Sequence, residues 1–574
     1  MNKILSTGLM TLAVIQASAQ QSLDESIAVD GRYAAEVIRM ERISSYPTEY
    51  PLRVSREKLP YDLAPLTSDF SPSLYPLPVP GMERDSKRGY LDAAIGSWLN
   101  SELRAGGWIL PPSQSSPWAL GAWIRHSSTS LWKPKTSDGL RLHKRYDYNE
   151  ALGLQAARRL NNGQSIEARL DYGVRYFDYF MVPEAPTQTI NRIKGDVSWN
   201  AAPGAAIDHR LGLSVSHFAY RDMVIPGVEV PWEPSRETTL HLYGLVSGCP
   251  GGTKADPEEG SLTLKGDAYG VFGSTGGDYG LISLTPSYGM NLNGLHFDAG
   301  VRVDLSVKAG TKSDPFSAFH LAPAVNVWFP TSHFTFYAKV TGGSELQTLW
   351  KRSELSQWLS PYEFSHTPIF APVDAAIGFN AGPAADVMRG IEGGLQIRWK
   401  AVSHLPFYGW YPTAMMLGAQ EGLELMTLNS LPTTLHGIEI SGRLAWSLRD
   451  VANAEIKLAY TPQHNTRGFF NGIDRPRWTG SAMVAVRPAS RLTLSAGLDW
   501  RGVRNIYGIF GEGESQQGYR LPDWLSLRLE ADWTITKNIS VGAGAYNLTN
   551  RKNVELPGVP TEGITGAARI SWLF

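Results

Sequence analysis

Apolar and polar residues alternate with a period of two along most of this chain. At the carboxyl end, Ile564, Gly566, Ala568, Ile570, Trp572 and Phe574 share one face of an extended segment; Thr565, Ala567, Arg569 and Ser571 share the other. Between 491 and 500, Leu492, Leu494, Ala496, Leu498 and Trp500 oppose Arg491, Thr493, Ser495, Gly497 and Asp499. Leu525, Leu527, Leu529, Ala531, Trp533 and Ile535 oppose Ser526, Arg528, Glu530, Asp532 and Thr534. The same rhythm places Ile166, Ala168, Leu170, Tyr172, Val174 and Tyr176 together, and likewise Ile438, Ile440, Leu444, Trp446 and Leu448. Helical spacing fits these windows less well, so the pattern predicts strands with one apolar face each.

The links between these windows are of two kinds. Asn162-Gly163, Asn293-Gly294, the Pro-Ala-Ser of 488–490 and Lys537-Asn538 carry the chemistry of tight hairpins. Others, such as 249–260 and 508–519, are long and rich in glycine and charge. From 450 onward short and long links alternate, the asymmetry of an outer-membrane barrel with tight periplasmic turns and long external loops. A soluble sandwich of similar alternation would close within about 250 residues per domain. Here the pattern continues without a compositional break, and the polar faces carry opposite charges as a wet lumen would. The expected fold is therefore all-β, a transmembrane antiparallel barrel of about 22 strands, in the range of roughly 20 to 24. It should occupy 88–574, with 345–371, where the alternation breaks, as a long and partly ordered loop.

The residues ahead of the barrel read differently. Lys3, the apolar run from Ile4 to Ile15 and Ala17-Ser18-Ala19 have the order of a secretory signal peptide, 1–19, with the mature chain beginning near Gln20. Residues 20–87 form a second segment, in which Pro47, Pro51, Pro60, Pro65, Pro72, Pro76, Pro78 and Pro80 disfavour regular sheet and favour an extended chain. That segment reads either as a disordered leader or as an arm packed in the periplasmic mouth or lumen.

Composition narrows the function classes. With 18 Trp, 24 Tyr and 57 Gly, the chain has the aromatic and glycine content of an all-β protein. A formal net charge of −1 gives no case for nucleic acid as a partner. Cys249 is the only cysteine, which excludes an internal disulfide framework and a cysteine-built metal site. No apolar run reaches the length of a membrane-spanning helix. Neither a His-Glu-x-x-His nor a Gly-x-Ser-x-Gly pattern occurs. Gly270, Gly273, Gly276 and Gly277 lack the strand-to-helix context of a phosphate loop, and Asp256, Glu258 and Glu259 lack the spacing of a calcium loop. His366 and Cys249 read as incidental. The chain is expected not to be an enzyme and to need no cofactor or metal. The densest aromatic cluster, 405–412, reads as an interfacial girdle or loop packing ahead of a stacking platform for a ligand.

The last two strands carry a resemblance. Asn547, Leu548, Asn550, Arg551 and Lys552, then Pro557, Gly558 and Pro560, then a closing strand ending in Phe574, resemble the carboxyl end of TonB-dependent receptors. The resemblance implies a 22-stranded barrel in the cell outer membrane. In full family members it also implies a globular plug and import of a scarce nutrient driven by TonB. The Gly- and Arg-rich signatures of such a plug are not found in 20–87. With Arg88-Gly89-Tyr90 leading into the first strand, the chain resembles the plug-less receptor-like barrels of Bacteroidota. Glu25, Ser26, Ile27, Ala28 and Val29 resemble a TonB box, an extended segment offered to a periplasmic partner for strand addition. The terminal Ile570, Trp572 and Phe574 are, by the same resemblance, the signal read by the outer-membrane assembly machinery.

The expected role is a transport pore, or the barrel subunit of an envelope complex, in contact with outer-membrane lipid. The alternative is a TonB-energised uptake receptor; an outer-membrane hydrolase comes last.

Overall fold

The alternation becomes a closed wall. The computed structural model describes residues 88–574 apart from 112–115, 131, 134–144, 180–186, 203–204, 222–232, 250–259, 274–277, 309–317, 332, 356–357, 362–367, 382–390, 413–425, 449–450, 466–475, 510–515, 552 and 557–558. Residues 1–19, read as a signal peptide, the proline-rich segment and Glu25 to Val29 thus lie outside the described residues. So do Lys552, Pro557, Gly558, His366 and the acidic residues of 256–259.

Among the described residues, 22 strands form a closed antiparallel barrel. Each pairs with its neighbour in sequence, from Gly89–Gly96 and Asn100–Leu110 to Ile539–Tyr546 and Thr565–Leu573. The last strand then pairs with the first, Tyr90 opposite Leu573 and Gly96 opposite Ala567, which closes the ring. Closure leaves no unpaired strand edge in lipid, the condition for a sheet to cross a bilayer. Backbone bonds finish the seam: Arg88 N–H and Gly89 N–H donate to the Phe574 carbonyl at 2.7 and 2.9 Å, and Phe574 N–H donates to Gly89 O at 3.0 Å. Gly89 sits where a Cβ would lie 2.6 Å from the Phe574 ring, so the terminal aromatic lies against the bare backbone of the first strand.

The two faces are inverted relative to a soluble protein. Ile570, Trp572 and Phe574 are 45%, 44% and 51% exposed, while Leu573 is buried on the other face. Leu529, Trp533 and Ile535 point out; Ser526, Glu530 and Thr534, at alternate positions of the same strand, are buried against the lumen side. The apolar face therefore meets lipid rather than a core, and the polar face forms the inner wall. Exposed Trp118, Trp199, Phe329, Phe336, Trp446, Trp533 and Trp572 gather at the strand ends joined by the short turns. That is the aromatic belt of one membrane interface.

The turns follow their residues. Asn293 and Gly294 both take positive φ, 52° and 85°, between strands Tyr279–Leu292 and Leu295–Lys308. Gly163, with φ of 84°, turns the chain between Asp147–Arg159 and Ser165–Asp178. The long link 249–260 breaks the asymmetry, since it joins strands at the end where the other links are mostly short. The aromatic stretch 405–412 belongs to a 22-residue strand, Ile391–Pro412, which forms with Met426–Leu448 a hairpin far longer than the wall beside it. Its backbone touches the neighbouring hairpin through Trp410 and Gly508.

Candidate functional site

The inner wall and what covers it form the candidate site. Charged residues on the luminal face occur as compensated groups across adjacent strands. Arg398 donates to both oxygens of Asp374, at 2.7 and 2.6 Å, with Lys400 3.2 Å away. Arg443 reaches Glu455 at 2.7 Å and Glu392 at 3.5 Å. Arg175 forks onto Asp147 at 3.0 and 2.8 Å. Arg569 engages Asp532 through Nε at 2.8 Å and lies 3.6 Å from Glu530. Such ladders hold polar side chains flat against the wall and leave little net field in the lumen.

One quadrant of this wall is covered from within. Strand Phe334–Glu345 ends in a register shift at Thr341/Gly343. Gly343 has φ of 133°, and a Cβ there would lie 2.4 Å from Arg302 Nε; only glycine allows both the backbone turn and the arginine. Arg302 bonds Asp304 at 2.8 Å and the Ser344 carbonyl at 2.6 Å, and Ser344 N–H donates to Asp304 at 2.5 Å. The chain then turns into the lumen rather than outward.

Its inward course is fixed by named contacts. Leu346 packs with Val271, Tyr279 and Leu281 on the inner face. Thr348 caps the short helix Leu349–Leu355, its hydroxyl accepting Lys351 N–H at 3.2 Å. Glu237, on the inner face of Arg236–Gly248, accepts Leu349 N–H with both carboxylate oxygens at 3.2 Å, so a carboxylate stands at the helix's positive end. Trp358 is fully buried, its ring 6.1 Å from Phe177 and 5.8 Å from Tyr179. Ser235 N–H donates to Pro361 O at 2.8 Å and ties the far end back to the wall. Arg192 lies 5.8 Å over the Trp350 ring. The described residues of 346–361 thus form an inward fold near the long-loop end, built on wall residues distant in sequence.

Sequence reasoning read 345–371 only as a broken, partly ordered loop. A signal was present: Thr348 before Leu-Trp-Lys-Arg-Ser-Glu-Leu is a helix start, and Leu346, Leu349, Trp358 and Leu359 are too apolar for a solvated loop.

The described residues of the receptor-like motif have defined contacts. Asn547 and Asn550 take positive φ, and Asn547 Nδ2 donates to the carbonyls of Arg551 and Glu562 at 3.0 and 2.9 Å. Thr549 Oγ1 donates to Leu525 O at 3.0 Å, and Arg551 bonds Asp523 at 2.5 Å. Leu548 N–H donates to Leu527 O at 2.9 Å. The motif therefore knots the last long loop onto the preceding strand Trp524–Thr536. Val554–Leu556 pairs with Val559–Pro560 in a small hairpin beside it. Among the described residues, no group of three or more His, Cys, Asp or Glu is placed to hold a metal ion.

No family model matches the chain, and no curated protein matches it. Solved structures do. The ferripyoverdine receptor of the outer membrane of Pseudomonas aeruginosa superposes with a TM-score of 0.61 at 12% identity, over 85% of this chain and 72% of that one. The FrpB iron transporter from Neisseria meningitidis gives 0.62 at 8% identity, over 86% and 82%. The copper transporter OprC gives 0.61 at 11% identity, over 85% and 80%. The chain shares with these receptors and transporters the fold of the closed 22-stranded barrel.

Proposed function

We propose that this chain is an outer-membrane transport pore whose cross-section is set near the long-loop end by segment 346–361. The observation that carries the reading is the double anchoring of that segment to the inner wall, through Glu237–Leu349 and Ser235–Pro361. A barrel of 22 strands is wide enough to breach the membrane unless something fills part of it. A covalently continuous fold fixed to the wall limits solute size without a moving part. The compensated charge ladders support passage of polar solutes with weak charge preference. Residues 20–87 join the barrel at the short-turn end, through Arg88, and are a second occluding element in this reading. Single-channel recording of the purified chain and of a 24–87 deletion tests it: higher conductance on deletion supports occlusion, and equal conductance removes that role. Gentle extraction of the native membrane tests for a stoichiometric partner, which would make the barrel a subunit of a larger envelope complex.

A second reading is TonB-energised uptake, favoured by Glu25 to Val29 and by the fold shared with a ferripyoverdine receptor, an iron transporter and a copper transporter. The periplasmic domain of TonB should then capture the protein, and Val29→Pro should abolish capture. Absence of binding by the unaltered chain rejects this reading.

A further inference from the structure

The barrel wall is not equally tall all round. Strands Tyr279–Leu292 and Leu295–Lys308 have 14 residues each, whereas at the seam Gly89–Gly96 and Ile539–Tyr546 have 8 and Thr565–Leu573 has 9. At about 3.4 Å per residue and a tilt of about 45°, 14 residues rise roughly 34 Å and 8 residues roughly 19 Å. The apolar band of such barrels is about 25 Å tall. Phe574 and Trp572 stand level with the aromatic belt at the short-turn end, so the shortfall lies at the other end. There the first hairpin turns back.

The tip of that hairpin has an unusual make-up. Trp98 and Leu99 both occupy the left-handed region, with φ of 61° and 51°, where a tight turn ordinarily places glycine or asparagine. Both side chains are about half exposed, as are Ile95 beside them and Ile564 just ahead of the adjoining strand. The polar side chains of the tip turn the other way. Ser97 Oγ accepts Gly566 N–H of the closing strand at 2.9 Å, and Asn100 Nδ2 donates to Glu562 of the last loop at 2.9 Å. The contrast with a tall hairpin is direct: the turn after Ser261–Phe272 has Gly273 N–H donating to an exposed Asp278 carboxylate at 3.0 Å.

We propose that the Ser97–Leu99 tip is immersed in the outer-leaflet lipid rather than in water, and that the bilayer is thinner along the seam than around the rest of the barrel. A tip that ended in water would expose two large apolar side chains held in a costly backbone conformation for no gain. Within lipid the same side chains fill the depth that the short strands leave uncovered, while the Ser97 hydroxyl is bonded to the Gly566 backbone and Asn100 is buried. The occupant of the patch is lipid, and the inference does not depend on what the lumen conducts.

Site-directed spin labelling in pure-lipid proteoliposomes decides it. In a Cys249→Ser chain, nitroxides are placed at Trp98→Cys, at Leu99→Cys and, as the control, at Asp278→Cys. Heat-modifiable migration confirms that each barrel is folded. The expected result is collision with oxygen dominating at 98 and 99, and collision with a water-soluble nickel chelate dominating at 278. Equal nickel access at all three positions would overturn the proposal, including the case where a protein partner covers the patch in the cell. Should one seam variant fail to fold, the other carries the test.

Discussion

The carboxylate of Glu237 receives the backbone N–H of Leu349 at 3.2 Å from each oxygen, across 112 residues of sequence. One wall residue thereby fixes both the position and the polarity of a helix inside the lumen. Thr239 adds a hydroxyl bond to the same carboxylate at 3.2 Å. Removing the carboxylate leaves the helix start without its wall partner. Glu237→Ala should loosen 346–361 at a cost of about 1.5–3 kcal/mol, the usual worth of a hydrogen bond to a charged group. The expected readout is noisier and higher single-channel conductance with the barrel still folded; an unaltered trace would mean that the contacts of Leu346, Trp350, Trp358 and Pro361 hold the segment without it.

The Asp374 site should set the sign of a selectivity change. Its one carboxylate is shared by Arg398 and Lys400 and offsets half of their charge. Asp374→Asn leaves two cations facing the lumen, so reversal potentials in a salt gradient should shift toward anion preference. Arg398→Gln should move them the opposite way. Loss of one partner of a buried pair also costs stability, up to about 3–5 kcal/mol where water is excluded. The shift should appear in barrels that still resist cold detergent.

The seam offers a test of two roles at once. Deleting Phe574 removes the three backbone bonds shared with Arg88 and Gly89. At about 0.5–1.5 kcal/mol each, their loss should lower the folded fraction after refolding in detergent. If Ile570, Trp572 and Phe574 also form the assembly signal, the deficit in cells should exceed the deficit in the test tube. Equal deficits would leave only the structural role.

Gly343 should tolerate no side chain. Gly343→Val meets both the φ of 133° and the Arg302 guanidinium, so the inward turn cannot form as it stands. We expect higher conductance and increased protease sensitivity within 346–361. An unchanged digestion pattern would show that the turn can be made another way.

The wall was legible because period-two alternation is a local property, and each strand carries it in its own residues. Closure was legible from one end: the apolar face of 564–574 had to meet lipid, and Tyr90 to Gly96 pairs with it. Segment 346–361 was not legible as an inward fold. Its partners Glu237, Phe177 and Val271 are distant in sequence, and nothing local separates an apolar loop folded in from one folded out. The first hairpin hid for the opposite reason. Ser-Trp-Leu carries no turn chemistry, so only the backbone reveals two left-handed residues there. The residues from Asn547 stood out in the sequence only as a resemblance. Their work as a knot between the last loop and Trp524–Thr536 emerged only from the hydrogen bonds.

The central claim is that 346–361 narrows the lumen. It is tested most directly by replacing 347–359 with a short Gly-Ser linker and recording single-channel conductance, both in the full chain and in one lacking 24–87. The account predicts a rise of about twofold or more in the shorter background, where the segment is the remaining obstruction in a wide barrel. Conductance equal to that of the unaltered segment in both backgrounds would contradict it.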